Sequence, residues 1–543
     1  MRTLALLLFL LAAGHAAAAP EKSVLRAQEG AAALLRGRFE QAVAAYDEAA
    51  LEPNVPPARL ASIYNDRGVA KWRMARLDDA LADFNKAVDL YPNYPSIYNN
   101  RGNVLLDLEK PAEALEDFNK AIALSPNYGA AYNNRGNAHH ELGRFEAAVE
   151  DYKKAIESMP GNAVPYNGRG KAQGALGRPY AALRYLTRAL TLNGKYPAAY
   201  RNRADIFLHL ERYGDAIADL DKVIALSPDD PDLYLQRGRA WARENKTQNA
   251  LRDFTRSIEL DAENARAFAE RGALNVARRQ YEAAIEDLNA ALALDKDIPE
   301  AYAHRAQAHI ATGAFAPARE DIEKALAIDP RYADAHKVRG DLADAEAQTE
   351  QALQHYRKAL SLDPFLEDAK AAIKRLTGVA ETAGATPVGG EVAGWEIVSP
   401  APSRYVAVNA KFPKIRIALE TYGEGAPAIR EWTPLEKTLS GLGLLRYDAG
   451  RAVKGANEYV AIIDLTRAQV VSIEPYIVGE AKARWDWTEY GVTVTDVEGV
   501  VAAYELRKPK PVQPRYVDDS PWGSWGGGGG RRPPNNVFDW LFR

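Results

Sequence analysis

Small and aromatic residues return along this chain at a fixed interval. The run Tyr98-Asn99-Asn100-Arg101-Gly102-Asn103 is followed by Ala114, Phe118, Ala121 and Pro126, and a step of 34 gives Gly136, Ala148, Tyr152, Ala155 and Pro160. The glycine position continues as Gly68, Gly102, Gly136, Gly170, Ala204, Gly238, Gly272, Ala306 and Gly340, and the first alanine runs from Ala80 to Ala352 in the same register. Spacings of three and four put these residues on one face of a helix, so each unit reads as two amphipathic helices. A long array at such a period is the mark of a solenoid.

Two antiparallel helices approach closely only where their side chains are small, which is what glycine and alanine supply. An aromatic four residues before the glycine (Tyr64, Tyr98, Tyr132, Tyr166) fills the space beside the contact. Prolines such as Pro92, Pro126, Pro160 and Pro228 stop the second helix. This pattern resembles the tetratricopeptide repeat (TPR) family over roughly residues 24–377. It departs at Gly194, Ala262 and Lys296, where proline is usual, and in a first repeat whose Gly30 lies 38 residues before Gly68. The resemblance implies an α-α superhelical solenoid of about ten TPR helix pairs, closed by an amphipathic helix over Phe365 to Leu376.

In that family the inner wall of the superhelix receives extended peptides or partner helices. By resemblance its positions lie three before and one after the glycine, which gives Asn65, Asn99, Asn103, Asn133, Asn137 and Asn167 as a protein-binding groove. A row of amides pairs with a peptide backbone without reading its side chains. Asparagine is equally a common soluble choice at these positions, and the row fades after repeat five. A second ladder is structural: arginine precedes the glycine position (Arg67, Arg101, Arg135 and six more), and aspartate follows it by fifteen in seven repeats (Asp83, Asp117, Asp151, Asp219, Asp253, Asp287, Asp321). We expect these to pair between helices, at ~0–1 kcal/mol each if exposed. The other reading leaves both ladders facing water independently.

From residue 378 the pattern changes. Residues 378–394 are Gly-rich and aperiodic, a flexible linker. Residues 395–507 carry short β-branched and aromatic runs, such as Ile415 to Leu419, Tyr459 to Ile463 and Gln469 to Ile473, and predict a C-terminal all-β domain, sandwich or barrel, of eight to ten strands. Trp485 and Trp487 alternate on one strand face, either as an aromatic platform for a sugar ring or proline-rich peptide or as half of the core. Residues 508–543, rich in Pro, Gly and Trp, read as a disordered tail. Its aromatic end, Val537 to Arg543, is suited to docking in a groove, lying on a membrane surface, folding back on the solenoid or packing on the β domain.

Composition narrows the chemistry. A net charge of -4, with no basic stripe, argues against nucleic acid as a partner. The chain has no cysteine, which removes thiol nucleophiles and cysteine-bound zinc. All eight histidines precede residue 356, so no Ser-His-Asp set is confined to the β domain. We expect no enzyme activity, no cofactor and no metal; the alternative is a β domain that binds or hydrolyses glycan and is recruited by the repeats. Arg2, the apolar run Leu4 to Ala13 and the alanines 16–19 read as a signal peptide over residues 1–19. A periplasmic or secreted scaffold follows, with an uncleaved anchor as the other reading; without a cysteine it is not a lipoprotein.

Overall fold

The computed structural model describes residues 22–378, 386–387, 391–401, 404–409, 411–412, 415–419, 426–434, 442–452, 455–465, 469–478, 481–487, 491–495, 499 and 501–505. The predicted signal peptide and tail therefore lie outside the described residues. No helix among the described residues is long and apolar enough to cross a membrane.

Ten helix pairs follow one another. They are α1 (Lys22–Leu35) with α2 (Phe39–Leu51), α3 (Pro57–Arg73) with α4 (Leu77–Leu90), α5 (Pro95–Asp107) with α6 (Pro111–Leu124), α7 (Gly129–Glu141) with α8 (Phe145–Ser158), and α9 (Ala163–Ala175) with α10 (Pro179–Leu192). Then come α11 (Pro197–His209) with α12 (Tyr213–Leu226), α13 (Pro231–Arg243) with α14 (Thr247–Leu260), α15 (Ala265–Ala277) with α16 (Tyr281–Leu294), α17 (Pro299–Ala311) with α18 (Phe315–Ile328), and α19 (Ala333–Ala345) with α20 (Thr349–Leu362). The helix α21 (Glu367–Thr377) covers the last pair with Ala369 and Ile373, which are buried against Ala343 and Tyr356.

Inside each repeat the glycine receives a side chain from the second helix. A Cβ at Gly102 would lie 2.6 Å from Phe118 Cε1, and one at Gly340 would lie 2.7 Å from Tyr356 Cδ1. Where alanine stands instead, as Ala204 and Ala306, the facing residue is aliphatic, Leu220 and Ile322. The aromatic four before the glycine finishes the preceding turn: Tyr98 and Tyr234 donate their hydroxyls to the carbonyls of Pro92 and Pro228, each at 3.0 Å.

The turn between paired helices was not legible as a motif. All ten place one residue at positive φ, with glycine at Gly37, Gly143, Gly177 and Gly313 but Glu109 (φ 58) and Arg279 (φ 59) elsewhere. The bonds Lys110 N to Leu105 O at 2.8 Å and Glu109 N to Leu106 O at 2.8 Å close the helix end in a Schellman motif. Packing across the pair holds a non-glycine residue in the left-handed region, so composition at this position does not reveal the turn.

The C-terminal part is all-β, in three antiparallel sheets. One is β1 (Thr386–Pro387), β2 (Trp395–Ala401), β3 (Arg404–Asn409) and β4 (Arg416–Ala418); the second is β5 (Ala428–Pro434), β6 (Leu442–Ala452), β7 (Gly455–Asp464), β8 (Gln469–Val478) and β9 (Ala481–Lys482); the third is β10 (Arg484–Trp487), β11 (Gly491–Thr495) and β12 (Val501–Glu505). Among the described residues twelve strands thus stand where eight to ten were expected, because β1 and β9 are two-residue strands with no hydrophobic run to announce them. The stretch read as linker is not wholly aperiodic, since Thr386 and Pro387 pair with Ser399 and Val398 of β2. One face of the middle sheet buries Leu445, Ala461 and Ile473 with Trp395, Ile397 and Ile417 of the first sheet. The opposite face buries Leu442 and Ile462 with Val492 and Val494 of the third.

Candidate functional site

The arginine and aspartate ladders meet. Arg101 donates through Nε and Nη2 to both oxygens of Asp117, at 2.8 and 2.6 Å, and the same two-pronged bond joins Arg67 to Asp83, Arg135 to Asp151, Arg203 to Asp219, Arg237 to Asp253, Arg271 to Asp287 and Arg305 to Asp321. Each bond links the two helices of one repeat. The remaining Nη1 reaches back to the second helix of the preceding repeat: Arg101 to Asn85 Oδ1 at 2.9 Å, Arg135 to Asn119 at 2.7 Å, Arg305 to Asn289 at 2.7 Å. Each guanidinium also lies over the aromatic three residues before it, as Arg101 does over Tyr98 at 5.6 Å. The aspartates are buried, which corrects the expectation of exposed pairs. Hydrogen bonding to Asp117 holds the Arg101 guanidinium charge even more firmly than in water.

The amide row is partly interior. Asn65, Asn99 and Asn133 are buried. Asn100 Nδ2 donates to Asn65 Oδ1 at 3.0 Å, Asn134 Nδ2 to Asn99 Oδ1 at 3.0 Å and Asn202 Nδ2 to Asn167 Oδ1 at 2.9 Å, each across a repeat boundary. This second asparagine, two before the glycine position, recurs in the sequence as Asn100, Asn134 and Asn202. The open wall of six amides is thereby reduced, and Asn103, Asn137 and Asn167 are the partly exposed members.

The amide ladder is interrupted in repeat five. Gly168 stands where the donor asparagine belongs, and a Cβ there would lie 2.4 Å from Tyr152 Cε1. Asn133 Oδ1 is therefore buried without a hydrogen-bond partner, while Asn133 Nδ2 donates to Asn134 Oδ1 at 3.1 Å. One turn further along α7, the Tyr152 hydroxyl donates to Asn137 Oδ1 at 2.8 Å. Of these two amides, four residues apart on one helix face, only Asn137 is partly exposed. Nearby, burial first and Lys171 second lower the pKa of His140, so its ring favours the neutral form.

Trp485 is half-buried against Leu442, Ile462 and Val492, with its ring 6.5 Å from that of Tyr476. Trp487 pairs with Val492 in the register of the third sheet, and its side chain lies outside the described residues. Among the described residues no three His, Asp or Glu side chains gather as a metal site.

Models of the tetratricopeptide repeat match residues 65–129, 99–163, 167–231, 272–333 and 334–365. No curated protein matches the chain. Similar solved structures include a tetratricopeptide repeat protein from Parabacteroides merdae ATCC 43184, 20% identical over 44% of this chain and 93% of that one, with a TM-score of 0.37. Yeast Tom70 is 16% identical over 66% of this chain and 95% of its own, TM-score 0.33. PilF of Pseudomonas aeruginosa is 19% identical over 38% and 94%, TM-score 0.36. No model matches the β region.

Proposed function

Residues 65–365 carry tetratricopeptide repeats, a family that serves as scaffold for protein interaction, and from that premise we propose that this chain is an exported, non-catalytic adaptor holding extended peptide or protein partners. The observation that carries the reading is the partly exposed amide of Asn137 on α7. Its oxygen accepts from the Tyr152 hydroxyl at 2.8 Å, which fixes the side chain and leaves its N–H2 group to donate, whereas the Asn133 oxygen is buried beyond a ligand's reach. A peptide backbone presents an acceptor carbonyl at every residue, so such a donor takes hold of main chain whatever its side chains. Asn103 extends the same face into repeat three. Export follows from Arg2 and the apolar run after it. In this reading the β region and the aromatic tail anchor or extend the assembly, by docking in a groove or on a membrane surface.

The test uses the full chain with Asn103→Ala and Asn137→Ala together, since both residues keep some exposure and neither donates across a repeat boundary. Cross-linked partners captured from envelope extract are quantified beside the wild type. We expect capture to fall by about tenfold, the loss of ~1.4 kcal/mol from two hydrogen bonds. Undiminished capture with an unchanged helical spectrum would remove the amide face from the binding site.

A further inference from the structure

Repeat five, α9 with α10, departs from the repeat pattern at several positions at once, and the β region rests on it. Where seven other repeats carry the ladder aspartate, it has Tyr185, whose ring lies 4.4 Å beneath the Arg169 guanidinium. The residue before it on α10 is Arg184, at a position where Glu116, Glu150, Glu286 and Glu320 stand in other repeats. One turn earlier comes Tyr180, buried, where Glu146, Gln248, Glu282 and Glu350 are found. The same two positions hold Ala82, Ala218 and Arg252, and Ala112, Gly214 and Ala316, in other repeats, and repeat five alone joins an arginine to a buried tyrosine on this face.

What meets that face is strand β8. Glu474 Oε2 lies 3.2 Å from Arg184 Nη1, with the two side chains 1% and 10% exposed, and Ser472 donates its hydroxyl to the other Glu474 oxygen at 2.6 Å. Arg212, in the turn of repeat six, donates through Nη1 to the main-chain carbonyl of Val471 at 2.6 Å. Tyr180, Leu183, Phe207 and Ala216 join the same apolar cluster as Ile473 and Leu445. Among the described residues only the end of β8 is paired on its outer side, by β9 at Ile477 and Val478, and the array meets the strand at Val471 and Glu474. An unpaired edge invites strand addition, and a helical cover with an arginine on a free carbonyl removes that invitation.

The β region touches the array a second time, five repeats on. The Arg416 guanidinium of β4 lies 4.2 Å from the ring centre of Phe365, just before α21, from which the chain runs on into the β region. We propose that repeat five is the seat of the β region and that the Arg184–Glu474 pair, with the Arg212 bond, is a latch closing repeats five to ten into a ring. A solenoid whose repeats touch only their neighbours bends easily along its length. The ring holds the curvature of its C-terminal half, while repeats one to four, with Asn103 and Asn137, stay free to bend around a ligand. The latch is a property of the array and the β region alone and stands whether or not the amide face binds peptide.

Hydrogen exchange followed by mass spectrometry on the full chain reads it directly, in Glu474→Arg, Arg184→Glu and the double reversal. Each single reversal opposes like charges in a dry contact. It is expected to raise exchange about tenfold or more in both 470–476 and 180–190, while repeats one to four stay as they were. The double reversal restores the pair and brings both segments back toward wild type. Because Glu474 is buried, Arg212→Gln serves as a variant on the array side alone, expected to expose 470–476 with the β core still protected. Wild-type exchange in both segments of the single reversals overturns the latch. So does deprotection of the whole β region with 180–190 untouched.

Discussion

Gly102 shows how one missing side chain decides the geometry of a repeat. With Phe118 Cε1 2.6 Å from where a Cβ would stand, neither helix backbone has room to retreat without disturbing Ala114 and Ala121, both fully buried. Repeats with alanine at this position face it with Leu220 or Ile322, smaller than a ring, while glycine faces either a ring or, at Gly170 and Gly272, a leucine. Gly102→Ala therefore strains the pair α5/α6 and lowers stability by about 1–3 kcal/mol. Adding Phe118→Leu recovers most of it. Urea denaturation of the three proteins checks both statements, and additive losses in the double variant would contradict the coupling.

At the scale of the helix, two ladders stitch the repeats and differ in kind. The arginine ladder binds three partners at once: the carboxylate of its own second helix, an acceptor on the previous one and the aromatic beneath it. Since the carboxylates are buried, removing one leaves a guanidinium in a dry crevice, and the cost exceeds that of an exposed pair. The amide ladder begins badly, because Asp66 occupies the position that is Asn100, Asn134 and Asn202 in later repeats. Burial pushes the Asp66 carboxyl up to about 6, with the hydrogen bond from Asn65 pulling the other way. A carboxyl whose folded pKa lies above its ordinary 3.8 binds its proton more tightly in the native state. Stability is gained as pH falls from above 6 toward 4 and lost as it rises through 6. Asp66→Asn is expected to stabilise the chain by about 1–2 kcal/mol at pH 7.5 and by much less at pH 4.5, the residue's partial exposure keeping the figure low. Paired denaturation curves at the two pH values test it, and an equal gain at both would assign the effect to something other than ionisation.

The whole molecule is unequal along its length. Among the described residues repeats one to four hold to their neighbours alone, whereas repeats five and six carry the β region and α21 covers the C-terminal end. Local opening in a stack of nearest-neighbour contacts is easiest at an end without a second support. Amide exchange in α1 to α4 is thus expected to run at least tenfold faster than in α10 to α12, and a uniform rate across the array would contradict it. The period of 34 was readable without coordinates, because each repeat packs on the next through the same few positions, and contacts at constant separation leave a constant trace. It announced the ten helix pairs, the closing helix, the glycine contacts and the spacing at which arginine and aspartate meet. The left-handed turn at Glu109 left no such trace, since the fold imposes that conformation on a residue that does not favour it. Nor did the burial of Asn65 and Asn99, whose oxygens accept from Asn100 and Asn134 across the repeat boundary, or of Asn133, which is buried with glycine where that partner would stand. The seat of the β region joins Arg184 to Glu474 across 290 residues and occurs once. A contact made once has no period, and only the folded chain brings its two halves together.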